Sequence, residues 1–159
     1  MSLLTEDKVH PMSAFNAGPV THPNAEEHIR VETAAGTWVT LNAKNHPVLF
    51  AAYWCPHCQR TLVLLQKHIA DTPGWPTVVY VGYPDGFPLK TAVRIEHEEK
   101  KAFHLTYTHV YYLIGSADQT YIDGFPYLVF NRRGTLLSLF GEHTFPVWKK
   151  ALDDAAKNR

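Results

Sequence analysis

An excess of charge of either sign is missing from this chain: its 159 residues carry 15 Lys plus Arg and 15 Asp plus Glu. An even balance gives no electrostatic reason to expect nucleic acid or an anionic membrane as a partner. Long hydrophobic runs are missing too, since none approaches the roughly 20 residues that a membrane-spanning helix needs. The opening "MSLLTEDKVHP" is interrupted by charge and proline before any apolar segment forms, so it does not read as a signal peptide. Either the protein is cytosolic or a targeting segment has been removed. Internal repeats and low-complexity blocks do not occur, and the length suits a single domain around one core. Cysteine is scarce, with two in the chain, at positions 55 and 58. A bridge over so short a gap constrains almost nothing in the unfolded state, which argues against a structural disulfide framework.

What is present divides into a featureless start and a patterned remainder. Residues 1–27, including "HPMSAFNAGPVTHPNAEEH", are rich in Pro, Asn, Ala and His without periodicity and read as a tail or linker that packs little. From residue 28 onward the pattern is continuous. Alternating runs at Ile29–Thr33 and Thr37–Leu41 flank Ala35-Gly36 and predict a hairpin. "PVLFAAYW", 47–54, is an uninterrupted apolar run that fits a central strand buried on both faces. Directly after Cys55 the period changes: Leu62, Leu65, Gln66 and Ile69 recur at helical spacing until "DTPGWP". A second buried strand is expected at 77–83 and a charged helix over "LKTAVRIEHEEKKAFHL", with Val93, Ile95, Ala102 and Phe103 loosely periodic. An apolar segment follows at 108–115. "YLVFNRRGTLLSLFG" predicts an antiparallel hairpin about Asn131–Gly134. Trp148, Ala151, Leu152 and Ala155 mark a terminal amphipathic helix, with Thr144 as its cap. The order implies an α/β domain with helices on both faces of a central sheet.

The cysteines therefore sit where a buried strand feeds a helix. A thiol attacks only as thiolate, and free N–H groups at a helix start favour an anion. Pro56 suits the first helical turn, and His57, when protonated, places positive charge near Cys55. Cys58 lies one turn further in, within reach of Cys55 and more buried. That arrangement provides an exposed nucleophile, Cys55, and a shielded resolving thiol, Cys58, the two roles that thiol–disulfide exchange needs.

Other chemistries are weaker. A copper or zinc site would need His57, His97, His104 or His109 beside the thiols, but structural zinc sites commonly use four ligands in paired spacings, and only one Cys-x-x-Cys is present. His97 and His104 fit a solvated helix face. A binding domain that had lost exchange would be expected to lose a cysteine. Trp54, and Tyr53 beside it, suit an apolar rim where an unfolded substrate docks. Glu142 and His143, after the last strand, read first as a charged turn before the last helix, with a place lining the site as the alternative.

"YWCPHC" at 53–58 and "GFPYLVFNRRGTL" at 124–136 resemble the thioredoxin-like superfamily from about Ile29 to the end. "VETAAGTWVTLNAKNHPVLFAAYWC" looks like the start of its extracytoplasmic TlpA/ResA-like branch. The resemblance implies a thioredoxin-like domain over 28–159, a mixed sheet flanked by helices with an N-terminal hairpin extension. It also implies a cis-proline at Pro126 that faces the cysteines, shapes the substrate groove and keeps metal from the thiols. The Phe125 backbone would pair with a bound substrate chain. There are departures. Leu49 stands where thioredoxins carry a buried Asp, and Thr61 where ResA-like reductases carry a Glu, so no obvious group accepts the Cys58 proton. Pro56-His57 is the dipeptide of DsbA, a bacterial disulfide-forming oxidant, yet the stretch between Gly82 and Ala117 is too short for the DsbA helical insertion. The expected protein is a monomeric thiol–disulfide oxidoreductase leaning to disulfide formation or isomerisation, with a TlpA-like reductase as the alternative. Its disulfide carries the electrons, so no organic cofactor is expected. Cysteine-containing proteins are the expected substrates, with a separate redox partner. Because the tail reads like a stalk and the resemblance is to exported families, extracytoplasmic placement is expected.

Overall fold

Uninterrupted apolar strands need cover on both sides, and the chain supplies that cover in two different ways. A computed structural model describes residues 10–70 and 72–157. In chain order these form β1 (Gly18–Pro19), α1 (Pro23–Glu26), β2 (Ile29–Glu32), β3 (Trp38–Leu41), β4 (Val48–Ala51), α2 (Pro56–Ile69), β5 (Thr77–Tyr80), α3 (Leu89–Phe103), β6 (Val110–Tyr112), a 3₁₀ helix (Gly115–Thr120), β7 (Tyr127–Arg132), β8 (Thr135–Phe140) and α4 (Phe145–Ala156). They build one mixed sheet in the order β1-β8-β7-β4-β5-β6-β2-β3. β4, β5 and β6 run parallel to one another, and the remaining pairs are antiparallel.

The two parallel crossovers decide where the helices go. β4 to β5 and β5 to β6 step in the same direction across the sheet. Right-handed connections in one direction place α2 and α3 on the same face. Leu62 and Leu65 of α2, Ala92 of α3 and Trp148 of α4 accordingly share one core with Leu49, Val78, Tyr80 and Phe130. The alternate strand residues Val48, Phe50, Val79 and Val129 face the other way and pack with Val20, Ile29, Val31, Ala43 and Ile122. The sheet is thus flanked unequally: the three long helices, α2, α3 and α4, cover one face. The other is closed by the 20–43 region and the segment after the 3₁₀ helix.

The expectation of a poorly packed stretch through residue 27 fails from Met12 onward; residues 1–9 lie outside the described residues. Gly18 and Pro19 pair with Ser138 and Leu137, and the Phe15 ring meets Phe130 edge-on at 6.3 Å. The Met12 N–H donates to the Glu142 carbonyl and the Met12 carbonyl accepts from Thr144 N–H, both at 2.9 Å. An edge strand leaves a row of unpaired backbone groups, and this segment takes up part of the β8 edge. Thr144 does stand at the start of α4, but its side chain makes no capping bond.

α3 sets two carboxylates into its most buried stripe, beside Leu89, Val93 and Phe103, which pack half-buried on the core. Ala92, Glu96 and Glu99 are its buried residues. They face tyrosines: Tyr80 donates to Glu99 Oε1 at 2.6 Å, Tyr112 donates to Glu96 Oε1 at 3.1 Å, and the Tyr80 and Tyr107 hydroxyls share a hydrogen bond. One oxygen of each carboxylate is thereby partnered, while Glu96 Oε2 and Glu99 Oε2 have no hydrogen-bond partner.

Candidate active site

β4 ends at Ala51, and four residues later the backbone turns into α2. Cys55 has extended geometry, φ −89° and ψ 118°, and Pro56 opens the helix. Proline there costs no intrahelical bond and has its φ already set. The first helical bond runs from Gln59 N–H to the Cys55 carbonyl at 3.0 Å. Gln59, itself buried, donates from its side chain to the Tyr53 carbonyl at 2.8 Å and pins the loop before the cysteines.

Both thiols are buried, Cys55 at 5 % exposure and Cys58 at none. The expected exposed nucleophile is therefore corrected to a recessed one; Phe125 packs on the cluster of Ala51, Ala52, Cys55 and Cys58. Their acidities diverge. The Cys55 thiol is lowered from 9.0 to about 6, first by a hydrogen bond from Cys58, against the opposing effect of burial, then by N–H groups of the helix start and the charge of His57. The helix end and the partner thiol thus outweigh His57. Cys58 is pushed well above the ordinary range by burial first and then by Cys55, with a smaller contribution from the Glu99 carboxylate. Only the Ala52 N–H, 3.4 Å from the Cys58 sulfur, acts in the other direction among the main influences. Glu99 is fully buried, and burial raises its own carboxyl to about 7.

Trp54 is half-exposed on the rim and fixed there. Its Nε1–H donates to the Gly82 carbonyl at 2.9 Å, and its ring meets Phe125 edge-on at 5.4 Å. Gly82 has φ +80°, and a Cβ there would lie 2.9 Å from the Ala52 Cβ and 3.2 Å from Trp54 Nε1. Gly82→Ala is expected to cost about 2 kcal/mol from the left-handed backbone and the clash together. It should also loosen Trp54, read as a red-shifted tryptophan emission with a lower denaturation midpoint.

The Phe125–Pro126 peptide is cis, and the Pro126 carbonyl accepts from Gly141 N–H at 2.9 Å. A groove of about 310 Å³ runs past Phe125, Pro126, His57 and Glu142, with Met12 and Phe140 on its outer wall. Phe140, Met12 and Trp54 are three of the four exposed large apolar side chains among the described residues. The structure thus brings Trp54, Pro56, His57, Phe125 and Pro126 together around the two thiols.

Three participants are absent from the expected set. Glu142, expected first as part of a charged turn, is nearly buried, with His57 Nδ1 at 3.1 Å from its Oε1. Arg60 donates to the same carboxylate at 2.8 to 3.1 Å. Glu99, on α3, acts on Cys58 through its charge. More than 80 positions separate Glu142 from either partner in α2, so no local spacing could reveal the pairing. His97 instead lies exposed beside Glu96 at 3.5 Å, and His104 ends α3 in the left-handed region with φ 57°. No group of three or more His, Cys, Asp or Glu disposed to hold a metal ion occurs among the described residues.

No protein-family model and no curated protein sequence matches the chain. Solved structures do. A Bacteroides thetaiotaomicron protein assigned provisionally as a protein disulfide isomerase aligns with a TM-score of 0.53 and 16% identity, over 94% of this chain and 89% of that one. A secreted Mycobacterium tuberculosis disulfide oxidoreductase homologous to E. coli DsbE aligns with a TM-score of 0.53 and 17% identity, over 84% of this chain and 98% of that one. The fold is thioredoxin-like: a mixed sheet flanked by helices, with the cysteine pair at the start of the helix after a central strand.

Proposed function

We propose that the chain is a thiol–disulfide oxidoreductase acting on protein cysteines through Cys55 and Cys58, working toward disulfide formation or isomerisation. The observation that carries this is the split between the two thiols: Cys55 held near 6 at a helix start, Cys58 buried and held high. A stabilised Cys55 thiolate favours the reduced pair and so makes its disulfide the stronger oxidant.

In that direction a substrate thiolate attacks the Cys55 sulfur of the Cys55–Cys58 disulfide. Cys58 leaves, and its high proton affinity returns it to the thiol. The second substrate thiolate then attacks the substrate sulfur of the mixed disulfide, and Cys55 leaves as a thiolate. Two electrons pass from the substrate dithiol to the pair; one substrate proton ends on Cys58 and the other in solvent. Trp54, Phe125 and Pro126 form the apolar wall against which the substrate chain lies. The DsbE-related protein is secreted by its description, which supports the same placement for this chain.

One observation favours the reductase direction as a second reading. To reduce a substrate, Cys58 must lose its proton before it resolves the mixed disulfide, and the buried Glu99 carboxyl, at about 7, is a group able to take it. The deciding experiment mixes the oxidised chain with a reduced, unfolded protein and follows loss of substrate thiols. Rapid stoichiometric transfer supports disulfide formation; no transfer, with efficient reduction of a disulfide substrate by the dithiol form, reverses the direction.

A further inference from the structure

Arg60 and Glu142 have no part in the exchange steps above, yet they stand directly beside His57. Glu142 is 8 % exposed at its side chain and receives both Nε and Nη2 of Arg60, at 2.8 to 3.1 Å. His57 Nδ1 lies 3.1 Å from the same carboxylate and 3.2 Å from Arg60 Nη2. Nδ1 therefore sits between an acceptor and a donor: as N–H it donates to Glu142, and without its proton it accepts from Arg60. The other titratable groups around His57 are Cys55 and Cys58 on α2, His143 beside Glu142, and His10 across the groove. His143 is engaged with the Asn16 Oδ1 at 2.7 Å and the Gly141 carbonyl at 3.0 Å. Phe125 and Pro126 close the remaining side without charge. Beside the His57 ring, the formal charges of this cluster are one guanidinium and one carboxylate.

We propose that Glu142 is a positioning residue that sets the potential of the cysteine pair: its carboxylate ties Arg60 to His57 and cancels the positive field that the cluster would otherwise direct at Cys55. Glu142 thereby keeps the couple less oxidising than the Pro-His dipeptide and an uncompensated arginine would make it. The inference deepens the redox reading of the site and rests on it. It concerns an equilibrium in which the Cys55–Cys58 disulfide and two glutathione thiols give the dithiol and glutathione disulfide, a two-electron exchange.

The test is a charge cycle read in a glutathione redox buffer. Glu142→Gln retains an oxygen for Arg60 and removes the charge, and the equilibrium constant for reduction of the pair should rise roughly 3- to 10-fold, the scale of one partly screened charge. Arg60→Gln should lower it by a similar factor, and the double variant should return to within about twofold of the parent. A merely structural ion pair would leave the potential unmoved in the isosteric variant or move it the same way in both. Either outcome overturns the proposal. If Glu142→Gln does not fold, the fall expected in Arg60→Gln decides alone. The same shifts are read in a Cys58→Ser background as the pH dependence of Cys55 thiolate absorbance. Failure of the parent to equilibrate with glutathione would sink the redox reading, while this titration would still decide the role of Glu142.

Discussion

Cys55→Ser lowers thiol–disulfide exchange to the uncatalysed background, a loss of at least about 10³-fold, because a serine oxygen neither reaches its anion near neutral pH nor enters a disulfide. The size of the effect follows from the acidity of this position. A thiol at about 6 is mostly thiolate at neutral pH, so the parent approaches the full rate that its nucleophilicity permits. Cys58→Ser behaves differently. It leaves Cys55 able to form a mixed disulfide and removes the group that resolves it, so substrates accumulate on Cys55 and appear as reducible adducts on non-reducing gels or by mass spectrometry. Turnover by Cys55→Ser, or adducts carried by Cys58 in the parent, would contradict the assignment of roles.

The second large effect concerns stability against pH. Glu26 is 1 % exposed and both its carboxyl oxygens lack a hydrogen-bond partner. Burial, with the charge of Asp123 adding to it, raises this carboxyl from 4.5 to about 8. Between those values the folded chain holds a proton that the unfolded chain has released. Stability contributed by the neutral acid is therefore complete below about 4.5 and is lost as pH rises toward 8. The expected loss is on the order of 4 kcal/mol. Glu99, raised to about 7, adds a smaller decline over a narrower window, between 4.5 and its folded value. Denaturant midpoints measured at pH 5 and pH 9 should fall steeply for the parent and much less for Glu26→Gln. Equal declines in the two proteins would show that Glu26 ionises freely in the folded state.

The site was legible where its chemistry is local. The apolar run before Cys55, the change of period after it and Pro56 at the helix start together locate a thiol at a strand-to-helix junction, and the structure places it there. The hairpin at Asn131–Gly134 was equally plain, since Arg133 and Gly134 both take positive φ, 54° and 86°, and the sequence offers glycine at the second. What escaped was of two kinds. The buried carboxylates of α3 were invisible because hydrophobic periodicity looks for apolar residues on the buried face, and here Glu96 and Glu99 stand on it opposite tyrosines. The contacts of Met12 and Glu142 were invisible because each depends on tertiary pairing. β1 is only two residues long, too short to show alternation, and Glu142 meets His57 and Arg60 only once β8 has been laid beside β7. That the three long helices share one face was invisible for another reason: strand order, not element order, decides which face a crossover covers.

The most direct test of the central claim is the reduction potential of Cys55–Cys58, from its equilibrium with a glutathione buffer. The split acidities predict an oxidising couple, between about −180 and −120 mV, the span from protein disulfide isomerase to DsbA. A value near about −270 mV, that of thioredoxin, would contradict the oxidising assignment, and a pair that never exchanged would contradict the redox function itself.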